Sequence, residues 1–460
     1  MKMSEVNSVY FIGIGGIGMS ALARFFHAEG KKISGYDRTE TSITRDLVAL
    51  GMAITYVDSV DTIPSDIDLA IYTPAIPKDH KGLNYFRNKG IPLLKRSQVL
   101  GLISENMRTI AVAGTHGKTS TSSLVAHFLR DSGVDCTAFL GGLSNNLGGN
   151  FIHGTSDWVV IEADEFDRSF LTLSPEIAVI TCIDPDHLDI YGDEKTFIDG
   201  FIDFINKIKP NGHLVIHEDA FQILEDMGAF NDLIKKDFTV HVYGEIKANI
   251  LIKNIHNLAD GMGFDYANGI ESTSFELTYY GRHNVLNAVA AITVAKILGI
   301  SDEKLIPAAK KFKGIWRRFD VLIRNEHHVY IDDYAHHPTE INALINSVKS
   351  MFPGQKVRGI FQPHLYSRTR DFIQEFAESL QSLDEIILLE IYPARELPIE
   401  GITSQAILDL IINENKSLKT KSEVIDWVKI VGDGVILTIG AGDIDSLRNP
   451  IVEQLNARLS

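Results

Sequence analysis

Cysteine is scarce in this chain. Its 460 residues contain two, Cys136 and Cys182, too few for a disulfide framework and without metal-ligand spacing. They read as buried free thiols in a reducing compartment. No apolar run reaches the ~20 residues that a bilayer span requires. The opening stretch to Phe26 has a lysine and apolar residues, but Glu5, its glycines and the lack of a small-residue cleavage site set it apart from a secretory leader. Basic charge is also short: 44 Lys and Arg face 60 Asp and Glu, a net charge of −16. That balance argues against nucleic acid or an anionic membrane as a partner. Tandem repeats, low-complexity tracts and charge runs are missing too. What remains is the composition of an ordinary globular enzyme, 45% hydrophobic and 23% charged. The length suits about three domains at ~150 residues each, and the expected location is cytoplasmic.

The run from Thr109 to Thr119 organises the chain. An apolar strand, Ile110 to Ala113, breaks on Gly114, passes through Thr115, His116 and Gly117, and Lys118-Thr119-Ser120 opens a helix with Leu124, Val125, Phe128 and Leu129 on its apolar face. In a strand–Gly loop–Lys-Thr–helix unit, backbone N–H groups surround a phosphate, the lysine reaches the β/γ-phosphates and the threonine hydroxyl ligates Mg²⁺. Val112 stands where the usual spacing has its first glycine, so this stretch alone leaves an incidental turn open.

Upstream, the strand Val9 to Ile12 enters Gly13-Ile-Gly-Gly-Ile-Gly18, a helix with Leu22, Phe25 and Phe26, and a second strand ending on Asp37. This G-x-G-x-x-G unit suggests a nicotinamide-dependent oxidoreductase, but such a loop accepts any pyrophosphate, including that of a UDP-sugar. Downstream, apolar strands end in Glu162-Ala-Asp-Glu165 and in Asp184-Pro-Asp-His-Leu-Asp189. Carboxyl ends of parallel strands are where ligands bind, and Glu162 is the first choice for holding Mg²⁺. His187 alone reads as a hydrogen-bonding or core histidine, since a hard cation prefers oxygen. Arg282, His283, Asn284 and Asn287 lie at a helix start, where they could read a nucleotide or where Asn284 could merely act as N-cap. After a junction at Phe312 to Phe319, strands end in Asp332-Asp-Tyr-Ala-His-His-Pro338, Phe361-Gln-Pro-His364 and Gly440-Ala-Gly442. The expected class is α/β in three domains, with a Rossmann-like first domain, a central P-loop-type ATPase with a parallel sheet, and a Rossmann-like third domain. The boundaries are 1–106, 107–316 and 317–460.

Taken together, these strings, with Arg282-His-Asn-Val-Leu-Asn287 and Arg317-Arg-Phe319, resemble the Mur ligase family over essentially the whole chain. Within it they are most similar to the member that joins L-alanine to UDP-N-acetylmuramate. The nearest alternative in the family attaches a preformed tripeptide to the same sugar in cell-wall recycling. The resemblance implies a UDP-binding first domain, a central ATPase and a third domain that closes over the site. Carried across, it gives Gly13, Gly15, Gly16, Ile17 and Gly18 the UDP diphosphate, with Asp37, Thr73 and His116 also on that substrate. Gly114 to Ser120, Lys118 foremost, take the triphosphate. Thr119 and Glu162 ligate Mg²⁺ (or Mn²⁺), and His187 a second ion. Asn284 and Asn287 contact adenine and Arg318 the phosphates. Asp333, Tyr334, His336, His364 and Arg368 meet ATP and alanine. Two departures stand out. Phe201 replaces the carbamate-forming lysine of later-acting members, which favours the first-step enzyme. Leu365 follows His364 where many relatives have arginine, which shifts weight to Arg368 for alanine's carboxylate. A monomer or weak dimer with small-molecule partners is expected.

The chemistry has one central difficulty. A carboxylate is a poor electrophile, so ATP must activate it as an acyl phosphate before the amine attacks. Two anions meet in the first step, and Lys118, Arg318 and a metal held by Thr119 and Glu162 would cancel their charge. The amine must be free of its ammonium proton, and His336 could accept that proton or simply position the nucleophile.

Overall fold

The computed structural model describes residues 3–184, 191–228, 237–394 and 396–458. His187, with Asp186 and Asp189, lies outside them. Among the described residues the strands form three sheets. The first contains β1 (Ser8–Ile12), β2 (Lys32–Tyr36), β3 (Ala53–Thr55), β4 (Leu69–Tyr72) and β5 (Leu93–Lys95), in the order β3-β2-β1-β4-β5 and parallel throughout. Strand order reverses about β1, so the loop leaving it opens into the crevice where doubly wound sheets bind ligands. Val9–Ile12 reads as an unbroken apolar run because the strand is buried along its whole length, covered on both faces.

The second sheet centres on β6 (Arg108–Ala113), between β9 (Trp158–Glu162) and β10 (Ile177–Ile180) and parallel to both. β7 (Thr137–Ser144) and β8 (Gly149–Ile152) extend it on one side. β11 (Gly212–His217), β12 (Phe238–Gly244), β13 (Ile250–Leu258), β14 (Gly261–Asn268) and β15 (Glu271–Leu277) extend it on the other. The helix after β6 spans Lys118–Asp131 and buries almost its whole first three turns. Phe201, in the helix Glu194–Ile205, is fully buried and packs edge-on against Phe170 and Phe197. A lysine there would have to bury its ammonium in this aromatic cluster, a large desolvation cost.

One apolar core runs through both sheets. Helix Ile17–Ala28 buries Leu22 and Phe26 against the first sheet, while Phe25 meets Phe139 and Phe151 of the second at 5.5 and 6.2 Å. Each such burial is worth about 1.5–3 kcal/mol, which makes the two sheets one cooperative body. The compact units accordingly number two. One is Met1–Ile255 with Phe264–Glu276 and Leu286–Phe312; the other is His256–Gly263, Leu277–Val285 and Lys313–Ser460.

The second unit carries the third sheet: β16 (Asp320–Arg324), β17 (His328–Asp333), β18 (Val357–Phe361), β19 (Glu385–Leu388), β20 (Lys416–Leu418) and β21 (Gly434–Ile439). Their order is β16-β17-β21-β18-β19-β20, with only β16 antiparallel to its neighbour. The ends of β17, β18 and β21 share one edge, which brings together the polar strings that follow them.

On β11 and β12, His213 Nδ1 and His241 Nε2 stand 3.2 Å apart. Burial lowers both imidazoles, His241 to about 4. A histidine held below its unfolded value contributes stability above that value, about 6.5, and loses it as pH falls to the folded one. Thermal melts between pH 7 and 4 should therefore fall less steeply for His241→Gln than for the wild type over that window. Parallel curves would show that His241 titrates normally.

Candidate functional site

The loop after β6 is shaped by two glycines. Gly114 and Gly117 have φ of +133° and +80°, conformations that side-chain-bearing residues resist. A Cβ on Gly117 would also stand 2.6 Å from Asn287 Oδ1. That amide oxygen accepts from Thr121 Oγ1 at 3.2 Å, so Asn287 abuts the loop. The segment after β10 braces the other side: Thr115 Oγ1 donates to Asp184 O at 2.7 Å, and His116 N–H to Cys182 Sγ at 3.1 Å. Cys182 is thus partly accessible and part of the loop's support, whereas Cys136 is buried as expected. Ser120 is buried in the helix's first turn.

Lys118 Nζ donates to Gly114 O at 2.7 Å, Thr115 O at 3.1 Å and Glu165 Oε1 at 2.8 Å. Burial opposes its charge, but Glu165, Asp164 and Glu162 outweigh it and raise the ammonium's pKa. Glu165 itself is 2% exposed, and burial raises its carboxyl against the pull of Lys118. An incoming phosphate meets a lysine that keeps two loop carbonyls and has one anionic partner to exchange. Glu165 was visible in sequence only as the last letter of its string.

Thr119 Oγ1 and Glu162 Oε1 lie 3.1 Å apart, and the other Glu162 oxygen accepts from Gly141 N–H at 2.8 Å. Mg²⁺ takes oxygens at about 2.0–2.1 Å in an octahedron, which sets neighbouring ligands roughly 2.9 Å apart. A hydroxyl and a carboxylate at this separation, beside a phosphate loop, fit such an ion. Among the described residues no group of three or more His, Cys, Asp or Glu converges as a metal site. The remaining oxygens would come from phosphate and water.

The first glycine loop is tied down by its neighbours. Gly13 and Ile14 N–H donate to Tyr36 O, and Gly15 N–H to Asp37 Oδ2 at 2.7 Å. Asp37 thus shapes the loop. Gly13 packs beside Thr73, Gly16 accepts from Ser20 N–H, and Ile17 is 37% exposed at the tip. Arg96, which the sequence reading left without a role, packs on Gly18 and donates to Asp164 Oδ2 at 3.2 Å. A small cavity beside it is lined by Arg96, Glu162, Asp164 and Ser169 together with Leu100, Phe170 and Leu173.

In the second unit, Arg317 and Phe319 have φ of +59° and +45°, and the backbone between them is clamped by Asp333. The Asp333 oxygens accept from Phe319 N–H at 2.6 Å and Ala335 N–H at 2.7 Å. Burial raises this carboxyl to about 6, with Arg318 and these two N–H groups opposing. Arg318 lies over the Tyr334 ring at 5.1 Å and 3.8 Å from Glu340 Oε1. His336 Nδ1 is 2.9 Å from Tyr334 O and its ring 6.3 Å from that of His364, which stacks on Tyr392. Burial lowers His336 to about 4, Arg368 and Arg318 adding to the effect and Glu340 resisting it. Leu365 adopts φ +71°, and Arg368 follows in the short helix Tyr366–Asp371. Asn284 is not an N-cap: it is the third residue of the helix Arg282–Ile297, and its Nδ2 donates to Tyr280 O at 2.6 Å.

A phosphate loop with a lysine, a hard-cation oxygen pair and two further strand-end clusters on parallel sheets define a nucleotide-binding α/β enzyme. The Mur ligase catalytic, middle and glutamate ligase domains match residues 8–108, 112–295 and 317–442 in turn. The UDP-N-acetylmuramate–L-alanine ligase of Cytophaga hutchinsonii is 46% identical over 98% of this chain and 97% of its own. The UDP-N-acetylmuramate-alanine ligase of Thermotoga maritima superposes with a TM-score of 0.82 at 29% identity, covering 98% and 99% of the two chains. The murein peptide ligase of Psychrobacter arcticus, at 21% identity, TM-score 0.70 and coverage of 97% and 98%, shares the fold. The chain belongs to the Mur ligase family, and it is an ATP-dependent enzyme that forms amide bonds. That membership sets the oxidoreductase reading aside.

Proposed function

We propose that this enzyme joins L-alanine to the lactyl carboxylate of UDP-N-acetylmuramate, through an acyl phosphate, in the first peptide-forming step of peptidoglycan precursor synthesis. The observation that supports it most is full-length similarity to ligases named for that reaction, together with Phe201 packed in an aromatic cluster. The tripeptide-recycling alternative is supported only by likeness of fold. The division of labour follows the three sheets: 1–106 for the UDP-sugar, 107–316 for ATP and 317–460 for the amino acid.

Lys118 and the loop N–H groups from Gly114 to Ser120 hold the triphosphate, with Asn287 and Asn284 toward the base. Thr119 and Glu162 would hold Mg²⁺ beside the triphosphate, and His187, outside the described residues, would be the ligand of a second ion. The metal, when bound, withdraws charge from the phosphate oxygens. Gly13 to Gly18, shaped by Asp37 and flanked by Thr73, take the diphosphate, and His116 faces the same substrate. As the lactyl oxygen attacks the γ-phosphorus, Lys118 and Arg318 offset the two converging anions. ADP leaves, the alanine amine attacks the acyl carbon, and phosphate departs. Tyr334, His364 and Arg368 position alanine, Arg368 on its carboxylate. His336, held near 4, is neutral at pH 7 and able to accept a hydrogen bond, but such an imidazole is a poor base toward an amino acid's ammonium, whose pKa lies several units higher. Its work is therefore orientation of the amine beside Asp333.

Among the described residues no helix is long and apolar enough to cross a membrane. The proposed enzyme is a cytoplasmic monomer or weak dimer acting on small molecules. The test supplies ATP, Mg²⁺ and UDP-N-acetylmuramate with one amino acid at a time and follows product mass. L-alanine should give the dominant adduct. Turnover only with a tripeptide would assign the recycling reaction instead.

A further inference from the structure

The segment of the second unit assigned to alanine contains a strained residue, and a side chain with no role so far helps to hold it. Leu365 adopts φ +71° and ψ 135°, a conformation that a side-chain-bearing residue keeps only where its surroundings impose it. It stands between His364 and the short helix Tyr366–Asp371 that carries Arg368, so relaxing it would swing one of these groups away from the other. Strand-like pairing holds the chain on the near side. Leu365 N–H donates to Tyr392 O at 3.0 Å, Tyr392 N–H donates to Pro363 O at 2.9 Å, and the His364 ring stacks on Tyr392. These contacts fix the chain up to Leu365; the direction it takes afterwards is set beyond it.

Glu396 supplies a hold on the far side. Its Oε2 accepts from Ser367 N–H at 2.9 Å and its Oε1 from Ser367 Oγ at 2.5 Å. Burial pushes this carboxyl up, but the Ser367 hydroxyl and the N–H groups of Ser367 and Tyr366 outweigh it and leave the pKa below the usual carboxylate range. An ionised carboxylate has the lone pairs to accept from all of these donors at once. Glu396 is itself fixed: its N–H donates to Pro393 O at 2.8 Å, in a turn that holds Ala394 at φ +49°. One short stretch of chain thus grips the segment on either side of Leu365, Tyr392 before it and Glu396 after it.

We propose that Glu396 is a positioning residue of the amino-acid site: it locks Ser367 and thereby holds Arg368 in place for alanine's carboxylate. This rests on the assignment of Arg368 to that carboxylate, and the experiment separates the two claims. Glu396→Ala should raise KM for L-alanine about tenfold, while KM for ATP and for UDP-N-acetylmuramate stays within about twofold of wild type. Glu396→Gln should recover most of the loss, because its amide oxygen can accept from Ser367 N–H while its NH₂ donates to the Ser367 hydroxyl. In an Arg368→Met background Glu396→Ala should cost less than about twofold, because the residue it acts through is gone. A Glu396→Ala enzyme that raises all three KM values together or none of them, a glutamine variant no better than the alanine one, or an equal loss in both backgrounds would overturn the proposal and leave Glu396 a contact of the fold alone. An Arg368→Met enzyme with wild-type KM for L-alanine would instead overturn the carboxylate assignment, and with it the positioning role.

Discussion

Lys118→Ala should abolish ATP-dependent ligation, with a loss of at least about a thousandfold, while UDP-sugar binding in the first sheet stays near wild type. The size follows from the step it serves. Two anions approach in a site shielded from water, and removing a preorganised cation that faces the developing charge costs roughly 10²–10³ or more in rate. The substitution has a second consequence. It strands Glu165, which is 2% exposed and ion-paired to Lys118 at 2.8 Å. Breaking a buried pair from one side costs about 3–5 kcal/mol. Lys118→Ala should therefore melt earlier, and adding Glu165→Gln should restore much of the stability but none of the ligation. Calorimetric titration with UDP-N-acetylmuramate supplies the control. Loss of that binding in parallel with ligation would mean that the loops do not divide the labour as assigned.

The other large effect lies in the second unit. Asp332 is fully buried and accepts from Arg317 Nε at 3.1 Å, from Arg448 and from Thr438 Oγ1 at 2.6 Å. Arg317 also donates to Gly440 O and Gly442 O. Asp332→Ala leaves the buried Arg317 guanidinium without its anion, while Arg448 keeps Asp320 Oδ2 at 2.8 Å, at a cost of about 3–5 kcal/mol. Arg317 holds its backbone at φ +59°, immediately before Arg318. Denaturant unfolding should therefore resolve an early transition in Asp332→Ala, and KM for ATP should rise below that transition. A single transition at the wild-type midpoint would show that the network contributes little.

What could be read from sequence is what adjacent residues encode. The loop Gly114 to Thr119 is contiguous, so strand, turn and helix signals stand beside one another and the structure places them so. Strand ends such as Glu162 and Asp333 were recognisable because apolar runs stop there on a charge. Glu165 could be seen but not interpreted: its partner is 47 residues away and meets it only through a parallel crossover. The same holds for Arg96 and Asp164, which follow strands of different sheets, and for the three-way meeting of Arg317 before β16, Asp332 on β17 and Arg448 in the C-terminal helix. Nothing in the sequence around Glu396 points to Ser367, 29 residues away. For Asn284, sequence left N-capping beside nucleotide contact, and the chain places it third in the helix, where it does not cap.

The account depends on transfer of the ATP terminal phosphoryl to the sugar acid before the amide bond forms. UDP-N-acetylmuramate carrying ¹⁸O in its lactyl carboxylate, turned over once with ATP and L-alanine, tests this directly. One labelled oxygen should appear in each inorganic phosphate released. Phosphate free of label, with product formed, would contradict the account.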